Sequence, residues 1–228
     1  MRGYFRLLRA LWRMRRRHPQ WFNASDRSHC EREPWPRGFG PDSSHVYAHN
    51  RVRIDRPARE LFRKLSAAEQ WPEWYENSTD VDVRRPRSGR FARALALERL
   101  RARVGRSGES SPEPEPEPGT RTPSMFADPP SRRLGPNVEF RWTTFGIRVR
   151  SRVEEFEPDR RIAWTARGLG LRVYHRWYFT PDGAGTIVVT EECEKGLLPR
   201  VIRRWMNPAL HAGHRLWLES LKHGGPSG

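Results

Sequence analysis

Asn137 to Lys195 reads NVEFRWTTFGIRVRSRVEEFEPDRRIAWTARGLGLRVYHRWYFTPDGAGTIVVTEECEK, and apolar and polar residues alternate along most of it. Val138, Phe140 and Trp142 share one parity, and Ile147, Val149, Ser151 and Val153 interleave with Arg148, Arg150, Arg152 and Glu154. Ile162, Trp164 and Ala166 make a third row. Leu171, Val173, His175, Trp177 and Phe179 make a fourth, with Arg172, Arg176 and Tyr178 facing the other way. A period of two is the mark of half-buried strands. Turn-forming clusters separate the rows at Thr144-Phe145-Gly146, Glu157-Pro158-Asp159, Gly168-Leu169-Gly170 and Pro181 to Gly185. The stretch therefore reads as five consecutive antiparallel strands, the fifth from Thr186 to Glu194, followed after Gly196 by a long helical pattern.

Upstream, His45 to Ile54 is a further strand, with Val46, Ala48, Val52 and Ile54 on one face. Asp55-Arg56-Pro57 starts a helix, since proline suits a first turn, and Leu61, Phe62 and Leu65 are its apolar stripe. A short helix or turn carries Trp71-Pro72-Glu73-Trp74-Tyr75, and Val81 and Val83 mark another strand. Residues 85–135 interrupt this pattern as an insertion. It holds a helical stretch, Arg90 to Val104, and the run Pro112-Glu113-Pro114-Glu115-Pro116-Glu117-Pro118-Gly119, a composition that is extended or disordered. Residues 107–131 are expected to be mobile, because they lack the apolar groups that offset the entropy of ordering.

Only 36% of the 228 residues are apolar, so part of the chain lies outside a packed core. The net charge of +16 divides as +6 over residues 1–44, +5 over residues 85–134 and +5 over the rest. A nucleic-acid binder concentrates charge on its folded surface, yet here the folded part is the least basic for its size, so nucleic acid is not the expected partner. Forty of the 43 basic residues are Arg, which codon bias alone can produce. Cys30 and Cys193 are too few for a disulfide framework and lack metal-type spacing. No run of about 18 apolar residues offers a membrane span, and Arg9 and Arg13 break up any signal-peptide core. A cytoplasmic location is expected, where the Asn23-Ala24-Ser25 glycosylation acceptor goes unused.

Residues 2–17 form an amphipathic helix. Phe5, Leu8, Leu11, Trp12 and, nearby, Leu7 and Met14 share one side, and Arg2, Arg6, Arg9, Arg13, Arg16 and Arg17 follow helical spacing on the other. The pattern suits peripheral contact with anionic lipid, and equally a helix docked on its own domain or on a partner. Residues 18–44, with Pro19, Pro34, Pro36 and Pro41, read as an irregular connector.

Val52 to Phe62, Trp71-Pro72-Glu73-Trp74, Phe140-Arg141-Trp142, Ser151 to Pro158, Ile162-Ala163-Trp164, Trp177 to Pro181 and Gly185-Thr186, in this order and spacing, resemble the polyketide cyclase/dehydrase and lipid-transport branch of the START-like (SRPBCC) superfamily. The resemblance covers residues 45–84 and 135–224. It implies an α+β helix-grip fold, with a curved seven-stranded antiparallel sheet wrapped around the long C-terminal helix and an apolar cavity between them. The domain would span residues 45–224, interrupted by the insertion, with residues 1–44 as a basic extension and linker and residues 225–228 as a tail.

The scaffold hosts carriers, cyclases and ligand sensors, so chemistry is argued from residues. Strand alternation places Phe140, Trp142, Trp164, His175 and Trp177 on cavity-facing rows, and helical spacing adds Leu210, His214 and Trp217. The resemblance is what turns the two sets toward each other. Trp205 is expected to face inward, Trp71 and Trp74 to sit by the cavity mouth, and Pro208 to kink or restart the last helix. These tryptophans hold core-type positions, which argues for packing over base stacking. His175 with Glu191 or Glu192 is the acid–base candidate, without a full catalytic constellation. His211 and His214 lie three apart with no acidic or cysteine ligand nearby in sequence, so neither a metal nor a cofactor is expected. The expected function is binding, with transport as an extension, of a hydrophobic small molecule such as a lipid, quinone or polyketide. The alternatives are an aromatase/cyclase-type enzyme and a basic scaffold for nucleic acid or an acidic partner.

Overall fold

A computed structural model of the chain describes residues 2–22, 34–84 and 133–223. The expected helix from Arg90 to Val104, the Pro-Glu run with its expected mobility, Cys30 and the Asn23 acceptor lie outside the described residues. In chain order the elements are α1 (Arg2–Arg17), β1 (Val46–Ile54), α2 (Ala58–Ser66), α3 (Trp71–Trp74), β2 (Ser78–Arg84), β3 (Glu139–Thr144), β4 (Ile147–Glu157), β5 (Arg161–Gly168), β6 (Leu171–Asp182), β7 (Gly185–Gly196) and α4 (Leu197–Lys222). The strands form one antiparallel sheet in the order β1-β7-β6-β5-β4-β3-β2, and α4 packs on β1, β6 and β7. This is the helix-grip arrangement, α+β in class.

Consecutive hairpins follow from the turn residues. Phe145 and Gly146 have φ of 47° and 70°, and Leu169 and Gly170 have φ of 44° and 73°. Two left-handed residues in a tight hairpin match the twist of the flanking strands. Register shifts between Val153 and Glu155 of β4 and between Thr79 and Asp82 of β2 bend the sheet around its contents. At the strand-to-helix junction Gly196 has φ of 124°, and a Cβ there would lie 2.1 Å from the Gly170 carbonyl oxygen, so only glycine fits.

The registers lay residues in rows across the inner face. One row runs Val153, Trp164, His175, Glu192, Ala48, and the next runs Ser151, Ala166, Val173, Glu194, Val46. Trp71 sits at the centre of an aromatic cluster rather than at a mouth. Its ring centroid lies 5.1 to 5.8 Å from those of Phe140, Trp142, Trp164 and Trp217, and its Nε1 donates to the Leu65 carbonyl at 2.8 Å. The reason is that α2 and α3 fold over the concave face, which carries Trp71 inward and leaves Trp74 half-buried. Trp205 is 57% exposed instead of inward. Trp205 lies in one exposed stripe with Leu197 and Val201, while Leu198, Pro199 and Met206 of the same turns are buried, and the non-helical residue in α4 is Ile202 (φ −111°), upstream of Pro208. A proline ring crowds the carbonyl four residues before it, here that of Arg204, so the break at Ile202 is not the kink expected at Pro208.

Part of the expected connector has a structural role. Trp35 lies over the Arg176 guanidinium at 3.7 Å on the outer face, where Arg176 pairs with Glu191 at 2.6 Å and the Tyr47 hydroxyl donates to Glu191 at 2.6 Å. Arg176 therefore faces away from the concave side, as its parity requires, but is buried under residues 34–44.

The N-terminal helix α1 docks on its own domain. Leu7, Leu11 and Met14 are buried where α1 packs on α4 and β4. Phe5, Leu8 and Trp12, expected on the same side, remain exposed on a second stripe. At about 100° per residue the two triplets lie on faces roughly a third of a turn apart, too far to be covered together.

Candidate functional site

Between the concave face and α4 lies a space of about 50 Å³, lined in part by Trp142, Trp164, Leu210, His214 and Trp217. Phe140, His175 and Trp177, also expected on its wall, stand behind this lining in the packed aromatic cluster, each buried. Leu7 and Leu11 of α1 close one end, and Glu192 and Glu194 of β7 supply polar wall. Sites for drug-sized molecules usually measure about 300 to 1,000 Å³. This space admits only a few water-sized groups until something moves.

The polar groups meet at one point. His175 Nδ1 is 2.9 Å from Glu192 Oε2, His214 Nε2 is 3.3 Å from the same oxygen, and the two imidazoles stack with centroids 4.7 Å apart. His175 Nε2 lies 2.7 Å from the Thr190 hydroxyl. Burial opposes ionisation of Glu192, but the charge and hydrogen bond of His175 and the contact with His214 win, holding its carboxyl well below the usual carboxylate range. Glu194 behaves oppositely. Burial and the neighbouring Glu192 push its carboxyl well above that range. Burial, against the favourable contact with Glu192, pushes His214 down to about 4. The arrangement thus places a carboxyl that favours ionisation beside one that resists it, and two histidines.

Of the two glutamates open in the sequence, Glu192 faces the concave side and Glu191 faces the outer side with Arg176. Glu194, Tyr75 and the α1 leucines were not anticipated. The parity shared by Glu192 and Glu194 was visible, but their row partners follow only from register.

A hypothetical protein from Helicobacter pylori matches with a TM-score of 0.60 at 21% identity, over 84% of this chain and 95% of that one. This likeness is one of fold. A START superfamily protein from Mycobacterium smegmatis matches this chain with a TM-score of 0.46 at 11% identity, over 77% of it and 94% of that chain. The Zhui aromatase/cyclase from a Streptomyces species matches with a TM-score of 0.49 at 12% identity, over 77% and 90%. No protein-family profile matches the chain, and no curated protein does. No described helix is long and apolar enough to cross a membrane.

Proposed function

We propose that the protein binds a hydrophobic small molecule of the lipid, quinone or polyketide kind between the sheet and α4, taking it up at an anionic membrane surface. The observation that carries this reading is the double character of α1. Leu7 and Leu11 close the space, while Phe5, Leu8 and Trp12 of the same helix and Leu197, Val201 and Trp205 of α4 are the exposed large apolar side chains among the described residues. Arg6, Arg9, Arg13, Arg200, Arg203 and Arg204 lie on these same helices. Basic residues near an anionic bilayer contribute about 1 kcal/mol each. A surface that draws the outer stripe of α1 into lipid is placed to shift its inner stripe and widen the space.

The test uses vesicles carrying a fluorescent lipid analogue, with and without phosphatidylserine. The full chain is expected to sediment with anionic vesicles and extract the analogue, and Leu8→Ser with Trp12→Ser to lose both. Absence of extraction from either kind of vesicle overturns the reading. The contact between His175 and Glu192 favours a second reading, an aromatase/cyclase-type reaction with these two as acid and base. Turnover of a poly-β-ketone substrate, abolished in Glu192→Gln, would establish it in place of simple carriage.

A further inference from the structure

We propose that His175, Glu192 and His214, with Glu194 beside them, form a site for one divalent transition-metal ion of the zinc class. The inference stands whether or not the neighbouring space admits a hydrophobic ligand. His175 on β6 and Glu192 on β7 are cross-strand partners, and α4 lays His214 over them. One donor atom from each of the three residues lies within 4.8 Å of the others, and all three side chains are buried. Two imidazoles and a carboxylate form the nitrogen–oxygen set that suits zinc, cobalt or nickel, whereas calcium and magnesium take oxygen-only sets.

Two further observations point to an ion rather than to a merely hydrogen-bonded cluster. His175 Nε2 is held by the Thr190 hydroxyl at 2.7 Å, which fixes the ring with Nδ1 toward the shared centre, the second contact that metal-bound histidines usually make. Glu194 Oε2 is buried on the same wall and has no hydrogen-bond partner among the described residues. It stands next to the three-residue cluster, outside the set of donors that lie within 4.8 Å of one another. When bound, the ion would present any remaining position to the space lined by Trp142 and Leu210, where an oxygen of a bound molecule or water completes the coordination.

The test is titration of the metal-stripped full chain with Co²⁺, followed by its visible absorption. The expected result is saturation at one equivalent with the band intensity of a four- or five-coordinate ion, displacement by Zn²⁺, and a rise in unfolding temperature with either metal. Glu192→Gln and His214→Gln should each weaken binding at least tenfold, while His211→Gln, outside the cluster, leaves it unchanged. Where a variant fails to fold, X-ray absorption of the zinc-loaded wild type reads the ligands directly, and two imidazoles bound to the ion are expected. A band that persists in both cluster variants, no stoichiometric binding, or a zinc ion without imidazole ligands overturns the site.

Discussion

Trp177 has no exposed surface, and its ring lies 5.1 Å from that of Trp217 and 5.4 Å from that of His175. Its replacement by alanine empties a fully buried position in a packed cluster, and Trp177→Ala should lower stability by about 3 to 5 kcal/mol in urea unfolding. A loss below about 1 kcal/mol would mean that the interior is looser than its rings suggest. His211 gives a pH dependence of known sign. Burial, with His214 and Arg215 nearby, pushes it from 6.5 down to about 4. As the pH falls through this window the unfolded chain takes up a proton that the native state refuses, so stability contributed by His211 is complete above about pH 6.5 and is lost toward pH 4. His214 shifts the same way, so His211→Gln should reduce the slope of unfolding midpoint against pH without abolishing it. An unchanged slope would count against the burial of His211.

At the scale of elements, the turn between β3 and β4 and the middle of α4 are fitted to each other. Phe145 has φ of 47°, an unfavourable value for a bulky residue, and its ring covers Gly213 so closely that a Cβ there would lie 2.5 Å from Phe145 Cζ. Gly213→Ala should therefore cost about 1 to 3 kcal/mol through overpacking, although alanine is the better helix former. Phe145→Leu in the same chain should recover part of the loss. If the two substitutions simply add in a double-mutant cycle, the turn and the helix are not coupled as the contact requires.

The whole molecule brings three layers to one small space: the concave sheet, α4, and α1 across the end. If the space takes up a ligand as proposed, its volume of about 50 Å³ requires a wall to move first, and α1 is the element argued to do so. Leu11→Ala trims a closing side chain while leaving Phe5, Leu8 and Trp12 in place. Uptake of a fluorescent lipid analogue should become faster while sedimentation with anionic vesicles stays the same. Unaltered uptake kinetics would show that α1 is not the closing element.

Periodicity by itself determined the strands, the stripe of α2 through Leu61, Phe62 and Leu65, and the turns at Gly146 and Gly170, because each depends on neighbours a few residues away. It also determined parity, so Trp164, His175 and Trp177 were legible as inner-face residues before any contact was known. Parity does not say which residue of the next strand lies opposite. Register alone made Glu192 the partner of His175 and set Glu194 one row away. The same limit explains the tryptophans. Helical spacing in α4 marks stripes, but only the packing of that helix shows that Trp217 lies on the buried one and Trp205 on the exposed one with Leu197 and Val201. In α1 the apolar residues form two stripes, and only docking on α4 and β4 shows that Leu7, Leu11 and Met14 turn inward while Phe5, Leu8 and Trp12 stay outside. A hydrophobic pattern records that a face is apolar; what covers it is decided by elements distant in sequence, through close packing that no local window contains.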